Sequence, residues 1–231
     1  MMKKYFLFLY AVLGPFITIA QNHTDLADLG YRGPVKQLIT RFCADINFEN
    51  GRWVARDSCQ SATTLIESFN QDGNYTEKEI RTPYDTSIMM YTYLGHIKTG
   101  WTKKNSGGIT ATAGHSYGRR DSITELIHYA EDNSTVTCTY VQGKNQHTVI
   151  LEEKTIDSNG RLTGHLITYD EDDEKNRYWR TRTIDQLTGK TEVYEFSFLE
   201  KDNRGNPVRI LVKNNGEAIT IRLVSIQYYG Q

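Results

Sequence analysis

The sequence predicts an all-β fold: a strongly twisted, antiparallel, hairpin-rich sheet in meander order, with few or no helices after the N-terminal segment. Three observations carry that expectation. Short runs alternate apolar and polar residues with a period of two, the pattern of a strand with one buried face. Thr and aromatic residues are plentiful, while only Pro34, Pro83 and Pro207 follow the first twenty residues. Turn signals containing Gly recur between the runs.

The alternation is clearest near the C-terminus. Tyr194, Phe196 and Phe198 share one face, with Glu195 and Ser197 on the other. Val208, Ile210 and Val212 alternate with Arg209, Leu211 and Lys213. Ile219, Ile221 and Leu223 form an apolar face opposite Thr220 and Arg222, which predicts that those three pack inward. Asn215-Gly216 between two of these runs is a strong hairpin signal. Ser122 to Ala130 carries both a capping-box pattern and strand alternation; its strand neighbours favour a strand, with Ile123, Ile127 and Tyr129 on one face. Lys103 to Ser122 is rich in Gly, Ser and Thr and reads either as a long loop or as a boundary between two sheet halves. Thr24 to Gly30 suits one helical turn stopped by Gly30.

A looser repeat underlies the pattern. Phe69-Asn-Gln-Asp72-Gly73-Asn74, Ile156-Asp157-Ser-Asn159-Gly160-Arg161 and Asp202-Asn-Arg204-Gly205-Asn206 each end a strand, turn on Asn or Asp before Gly, and start another. Phe48-Glu-Asn-Gly51-Arg52, Ile184-Asp185 to Gly189-Lys190 and Val212 to Glu217 are variants. Gly takes a positive φ without steric cost, and Asn or Asp bonds its own backbone. These units resemble the YD-type repeats of bacterial Rhs-like proteins. With Leu29-Gly-Tyr-Arg-Gly33-Pro34-Val35-Lys36 ahead of them, the chain from about 29 to 231 is similar to small exported proteins of Bacteroides-type bacteria. The resemblance implies successive hairpins and no assigned chemistry. The aromatic-Asp pair of the repeat is absent from these turns, and Tyr169-Asp170 lacks the following Gly.

The chain has 231 residues, a formal net charge of −1 and a mean hydropathy of −0.56. That balance excludes a polytopic membrane protein, a disordered tail and a basic nucleic-acid binder. Met1-Met2-Lys3-Lys4, the uncharged stretch Tyr5–Ala20 and the small residues Thr18 and Ala20 have the layout of a secretory signal peptide. The expected organisation is a signal at 1–20, an N-terminal segment at 21–33 and a β-hairpin domain at 34–231, with a subdivision near 103–122 left open. Losing Lys3 and Lys4 leaves 25 basic against 28 acidic residues, a net charge of −3. A secreted or periplasmic location follows, without a lipid-anchor Cys and without a transmembrane span after cleavage.

Export makes a disulfide sustainable. Cys43 and Cys59 flank a hairpin turn, and a three-residue loop Asn50 to Arg52 would set them opposite each other. A two-residue Asn-Gly turn would miss by one, and three buried thiols are the alternative reading. No Cys-x-x-Cys pair or His-x-His pair suggests a metal, and no cofactor motif appears. Gly114-His115-Ser116-Tyr117-Gly118 matches the nucleophile elbow of hydrolases, but no strand–helix series surrounds it. The acidic run Tyr169 to Glu174 fails the EF-hand pattern because Lys175 stands where Gly must turn.

The expected function is an exported, non-catalytic binding or structural module that recognises a glycan or a surface protein. The alternative is a secreted hydrolase using Ser116 or a carboxylate pair. A lipid-carrying half-barrel is a weaker third. The candidate binding residues are Tyr178, Trp179, Arg180 and Arg182, with Trp101, because aromatic plates beside guanidinium donors can stack on sugars and bond their hydroxyls. The competing reading buries Trp179 in the core.

N-terminal sequencing of exported material should read Gln-Asn-His-Thr. A mature protein that keeps Tyr5 to Ile19 would refute cleavage after Ala20.

Overall fold

The computed structural model describes residues 24–230, apart from 57–58, 60–62, 96, 118–121, 143–148 and 173–177. The proposed signal peptide lies outside the described residues. A four-residue helix, α1 (Asp25–Asp28), precedes strand β1 (Val35–Cys43). A small hairpin follows, β2 (Ile46–Glu49) with β3 (Arg52–Ala55). The meander then runs through β4 (Thr64–Phe69), β5 (Tyr75–Arg81), β6 (Thr86–Leu94), β7 (Ile97–Asn105), β8 (Gly108–Tyr117) and β9 (Ser122–Tyr129). It continues through β10 (Thr135–Gln142), β11 (Val149–Ile156), β12 (Leu162–Asp172), β13 (Tyr178–Asp185), β14 (Thr191–Lys201), β15 (Pro207–Asn214) and β16 (Glu217–Tyr228). Each strand from β4 to β16 pairs antiparallel with the next, and β1 pairs with both β16 and β4. The all-β fold is therefore a closed barrel of fourteen described strands, with β2–β3 as a separate sheet.

Local chemistry explains the hairpins. In three turns the first Asx side chain accepts two backbone N–H groups: Asn70 from Asp72 and Asn74, Asp157 from Asn159 and Arg161, and Asp202 from Arg204 and Asn206. In each, the glycine N–H also donates to the carbonyl of that Asx residue. The glycines have φ near +80°, a region open to Gly at no steric cost. Asn50-Gly51 and Asn215-Gly216 instead make two-residue turns with both φ values positive, the type I′ geometry that matches strand twist.

Of the stretch 103–122, the described residues belong to strands β7, β8 and β9 and the turn at 106–107, not to a long loop. β7, β8 and β9 pair without a gap. Gly100 lies opposite Gly114, and a Cβ on Gly100 would sit 2.1 Å from the Ala113 carbonyl oxygen. Glycine there serves close backbone approach within a strand.

The register separates two faces. Leu38, Tyr75, Trp101, Ile127, Tyr140, Phe196 and Val212 face inward and are buried. Outward positions carry Glu77, Glu79 and Arg81 on β5, Glu152 and Lys154 on β11, Arg180 and Arg182 on β13, and Glu195 and Lys213 on β14 and β15. Strand β16 corrects the sequence reading. Arg222 pairs with inward Ile210, so Thr220, Arg222 and Val224 face the interior, while Ile221 points outward.

Ile221 and its neighbour Leu211 are nonetheless buried, at 0% and 2% exposure. Hairpin β2–β3 folds against the outside of β15 and β16, where Arg209 donates to the Trp53 carbonyl at 2.6 Å. Cys43, paired with Ile221, is disulfide-bonded to Cys59 with a Cα separation of 4.9 Å. The turn between β2 and β3 has two residues rather than three. The bridge forms because Cys43 ends β1 and Cys59 lies beyond β3, so neither depends on the hairpin register.

A strap of residues 24–34 crosses one end of the barrel. Leu26 N–H donates to the Gly73 carbonyl. Asp25 accepts from Tyr75 N–H and Tyr93 Oη and pairs with Lys98. Farther on, Arg32 N–H donates to Asn206 Oδ1, and Tyr31 Oη donates to the Pro207 carbonyl.

The interior also holds a polar row: His115, Glu125, Cys138 and Glu153 lie side by side on β8 to β11. Glu125 accepts from Trp101 Nε1 at 2.6 Å and from Tyr140 Oη at 3.2 Å, and bonds His115 Nε2 at 2.6 Å. Burial, then the nearby Glu125, raises the Glu153 carboxyl above its ordinary value. Burial likewise pushes the Cys138 thiol up, which keeps it protonated.

A carboxyl whose pKa is higher folded than unfolded holds its proton more tightly in the native state. Its contribution to stability is therefore fully present below the unfolded pKa and is lost as pH rises through the folded one. Glu153→Gln should raise the melting temperature at pH 8 and give little gain near pH 4. An equal gain at both pH values would contradict a titrating Glu153.

Candidate binding notch at the barrel rim

At the end of the barrel opposite the strap, the β5–β6 turn stands beside the β7–β8 turn. Thr82-Pro83-Tyr84-Asp85 forms the first. Proline fixes one backbone torsion, and the Thr82 hydroxyl braces the rest. That hydroxyl accepts from Tyr84 N–H at 3.3 Å and Asp85 N–H at 3.0 Å, and donates to the Asp85 carbonyl at 3.0 Å. The backbone closes through Thr82 N–H to the same carbonyl at 2.8 Å. In the neighbouring turn, Gly107 N–H donates to Asn105 Oδ1 at 2.8 Å. Asn105 Nδ2 reaches Asp85 Oδ2 at 3.4 Å, linking the two turns.

Between them lies an open notch of about 620 Å³. Ile88, Thr86 and Lys104 line it along the outward faces of β6 and β7, with Tyr84 and Asn105 on opposite turns. Tyr84 is 97% exposed. A tyrosine so placed buries almost no apolar area in folding, and its ring is a free amphipathic plate. Asp85 offers acceptors, Asn105 offers both donors and acceptors, and Lys104 offers an ammonium. Such a set can bond neighbouring hydroxyls of a ligand lying on the ring.

Of the sequence-predicted residues, Trp101, Trp179, Arg180 and Arg182 lie elsewhere and do not converge. Trp179 faces inward, half-buried, stacked on Phe196 at 4.1 Å with its Nε1 donating to Thr181. Arg180 and Arg182 face outward on the same strand, with the Arg182 guanidinium 4.9 Å from the Tyr169 ring centroid. Trp101 is buried and spends its indole N–H on Glu125. The side chain of Tyr178 lies outside the described residues, as do those of the acidic run from Asp170 onward.

Ser116 sits within extended β8, exposed, with Oγ 3.4 Å from the Thr124 carbonyl, while adjacent His115 points inward. That is a strand with alternating faces, and a nucleophile elbow needs a strand-to-helix turn instead. Among the described residues no cluster of His, Cys, Asp and Glu could hold a metal.

Sequence reasoning passed over Tyr84. The signal was present: an aromatic residue inside a Thr-Pro-x-Asp turn, where hairpin tips ordinarily carry small polar residues.

No family model and no curated protein matches the chain. Two solved structures resemble it. A porin-like protein from Bacteroides vulgatus ATCC 8482 aligns over 87% of this chain and 100% of its own, with a TM-score of 0.50 at 10% identity. A porin-like protein from Bacteroides uniformis ATCC 8492 covers 85% of this chain and 98% of its own, with a TM-score of 0.46 at 10% identity. At such identity the likeness concerns the fold, a closed antiparallel barrel.

Proposed function

We propose that the chain is an exported, water-soluble β-barrel that recognises carbohydrate at its rim notch. Export rests on the signal-like N-terminus, and solubility on the distribution of polar residues. The observation that carries the binding assignment is Tyr84, 97% exposed on a braced turn above a polar notch. A sugar's C–H face can stack on that ring while Asp85 and Asn105 bond neighbouring hydroxyls. The turn is held by its own hydrogen bonds, so little ordering entropy is spent on binding.

The porin-like neighbour favours a second reading, an outer-membrane barrel. The outward face opposes it. A lipid-embedded barrel needs an apolar outer band, and an outward Lys or Arg near mid-membrane costs about 2–4 kcal/mol. Here charged side chains recur along the outward faces of β5, β11, β13, β14 and β15, among them Glu77, Glu79, Arg81, Glu152, Lys154, Arg180, Arg182, Glu195 and Lys213, beside outward apolar residues such as Met90, Leu126 and Leu211.

Glycan-array profiling of the mature protein tests the site. Tyr84→Ala should abolish the captured signal while leaving stability within about 0.5 kcal/mol of the parent, as surface substitutions do. Asn105→Ala should weaken binding. Retention of glycans unaffected by Tyr84→Ala, or no glycan retained at all, would refute the assignment.

A further inference from the structure

Two charged residues line the rim notch, and their surroundings differ. Asp85 and Lys104 both reach it. The Asp85 carboxylate is met from within the rim. Asn105 Nδ2 reaches its Oδ2, and Lys103 attracts it. Lys103 faces inward, since it pairs with Met89 and with Ala111, which is buried. Burial lowers the pKa of the Lys103 ammonium, and the Asp85 charge opposes that fall.

Lys104 is turned the other way. Strand alternation sets it outward, between Ile88 on β6 and Ile109 on β8. It makes no hydrogen bond or ion pair among the described residues. The carboxylate in that outward row is Glu79 on β5, opposite Ile88, and Arg81 occupies both of its oxygens at 2.7 and 2.9 Å. On the other side, the outward positions of β6 to β10 carry no carboxylate among the described residues. Thr102, Thr112, Thr124 and Thr137 are typical of them. The outer side of the notch is therefore a place of local positive charge with hydroxyls beyond it. The chain as a whole has a formal net charge of −1, so attraction of an anion here has to be local.

We propose, on the basis of the carbohydrate reading of the notch, that its ligand is an acidic sugar, a hexuronate whose ring lies on Tyr84 and whose carboxylate is held by Lys104. A hexuronate keeps the C–H face that stacks on an aromatic ring. Its carboxylate is attached directly to the ring, so stacking the ring also fixes the charge, with few rotors left to freeze. The ammonium supplies three N–H donors to it. A sulfate ester brings the same sign of charge on a more flexible arm.

Calorimetric titration of the mature protein tests this with oligomers of galacturonate, glucuronate and mannuronate, each beside its carboxyl-reduced neutral counterpart, and with a sulfated neutral oligomer. One uronate should bind about fivefold more tightly than its reduced form, the upper end of what an exposed ion pair supplies. That ratio should fall towards one in Lys104→Gln and as salt is raised from about 50 to about 500 mM. It should persist in Lys213→Gln, an outward lysine on β15 far from the notch. Equal affinity for uronate and reduced forms, both lost in Tyr84→Ala, would overturn the acidic-sugar proposal and leave carbohydrate binding at the notch standing. Loss of the ratio in Lys213→Gln as well, or a preference for the sulfated oligomer, would also overturn it. Binding of none of these oligomers, with no glycan retained on an array, would overturn both.

Discussion

β1 pairs with β16 on one side and with β4 on the other, and through those two ladders the sheet loses its edges. The rest of the structure depends on that closure. A meander of thirteen hairpin-linked strands would otherwise expose two rows of unpaired N–H and C=O groups, an invitation to edge pairing. Once closed, the sheet has an inside and an outside, and the period-two alternation of each strand is resolved into those two environments. Apolar side chains collect into two internal clusters, one around Phe196 and Leu38 and the other around Ile127 and Tyr140. Glu77, Glu79 and Arg81 on β5, Glu152 and Lys154 on β11, Arg180 and Arg182 on β13, Glu195 on β14 and Lys213 on β15 go to the outside, while Lys78 and Glu153 face in.

Two additions complete the barrel. The strap of residues 24–34 ties the β4–β5 turn to the β14–β15 turn across one end, with Asp25 and Asn206 as its polar anchors. The disulfide-bonded hairpin β2–β3 covers Ile221 and Leu211 on the outer wall. Both use short stretches of chain to satisfy what the barrel alone leaves open. The strap roofs an interior that mixes apolar walls with ion pairs, and the hairpin hides apolar groups that face outward. At the opposite end the braced Tyr84 turn is exposed among the described residues.

Strand existence and hairpin grammar were legible because both are local. Asn70, Asp157 and Asp202 announced their turns by side-chain chemistry that acts within five residues. Ser122 to Tyr129 was resolved as strand from its neighbours. Closure was not legible, since pairing Cys43 with Ile221 leaves no local trace. The face of β16 was misassigned for the same reason. Ile219, Ile221 and Leu223 look like a core stripe, yet Ile221 is buried by a hairpin some 170 residues earlier in the chain, and Arg222 takes the inward place. The candidate site was missed because tryptophans drew attention. Trp179 and Trp101 proved to be interior residues with satisfied N–H groups, whereas the exposed aromatic was a tyrosine in a turn.

We propose that the outward face of this barrel meets water rather than lipid. Refolding the chain from Gln21 in detergent-free buffer, followed by vesicle flotation and sedimentation, tests it most directly. The account predicts a folded, non-aggregating β protein that stays in the aqueous fraction when vesicles float. A chain that precipitates without detergent, folds only in micelles or bilayers, and floats with the vesicles would contradict it.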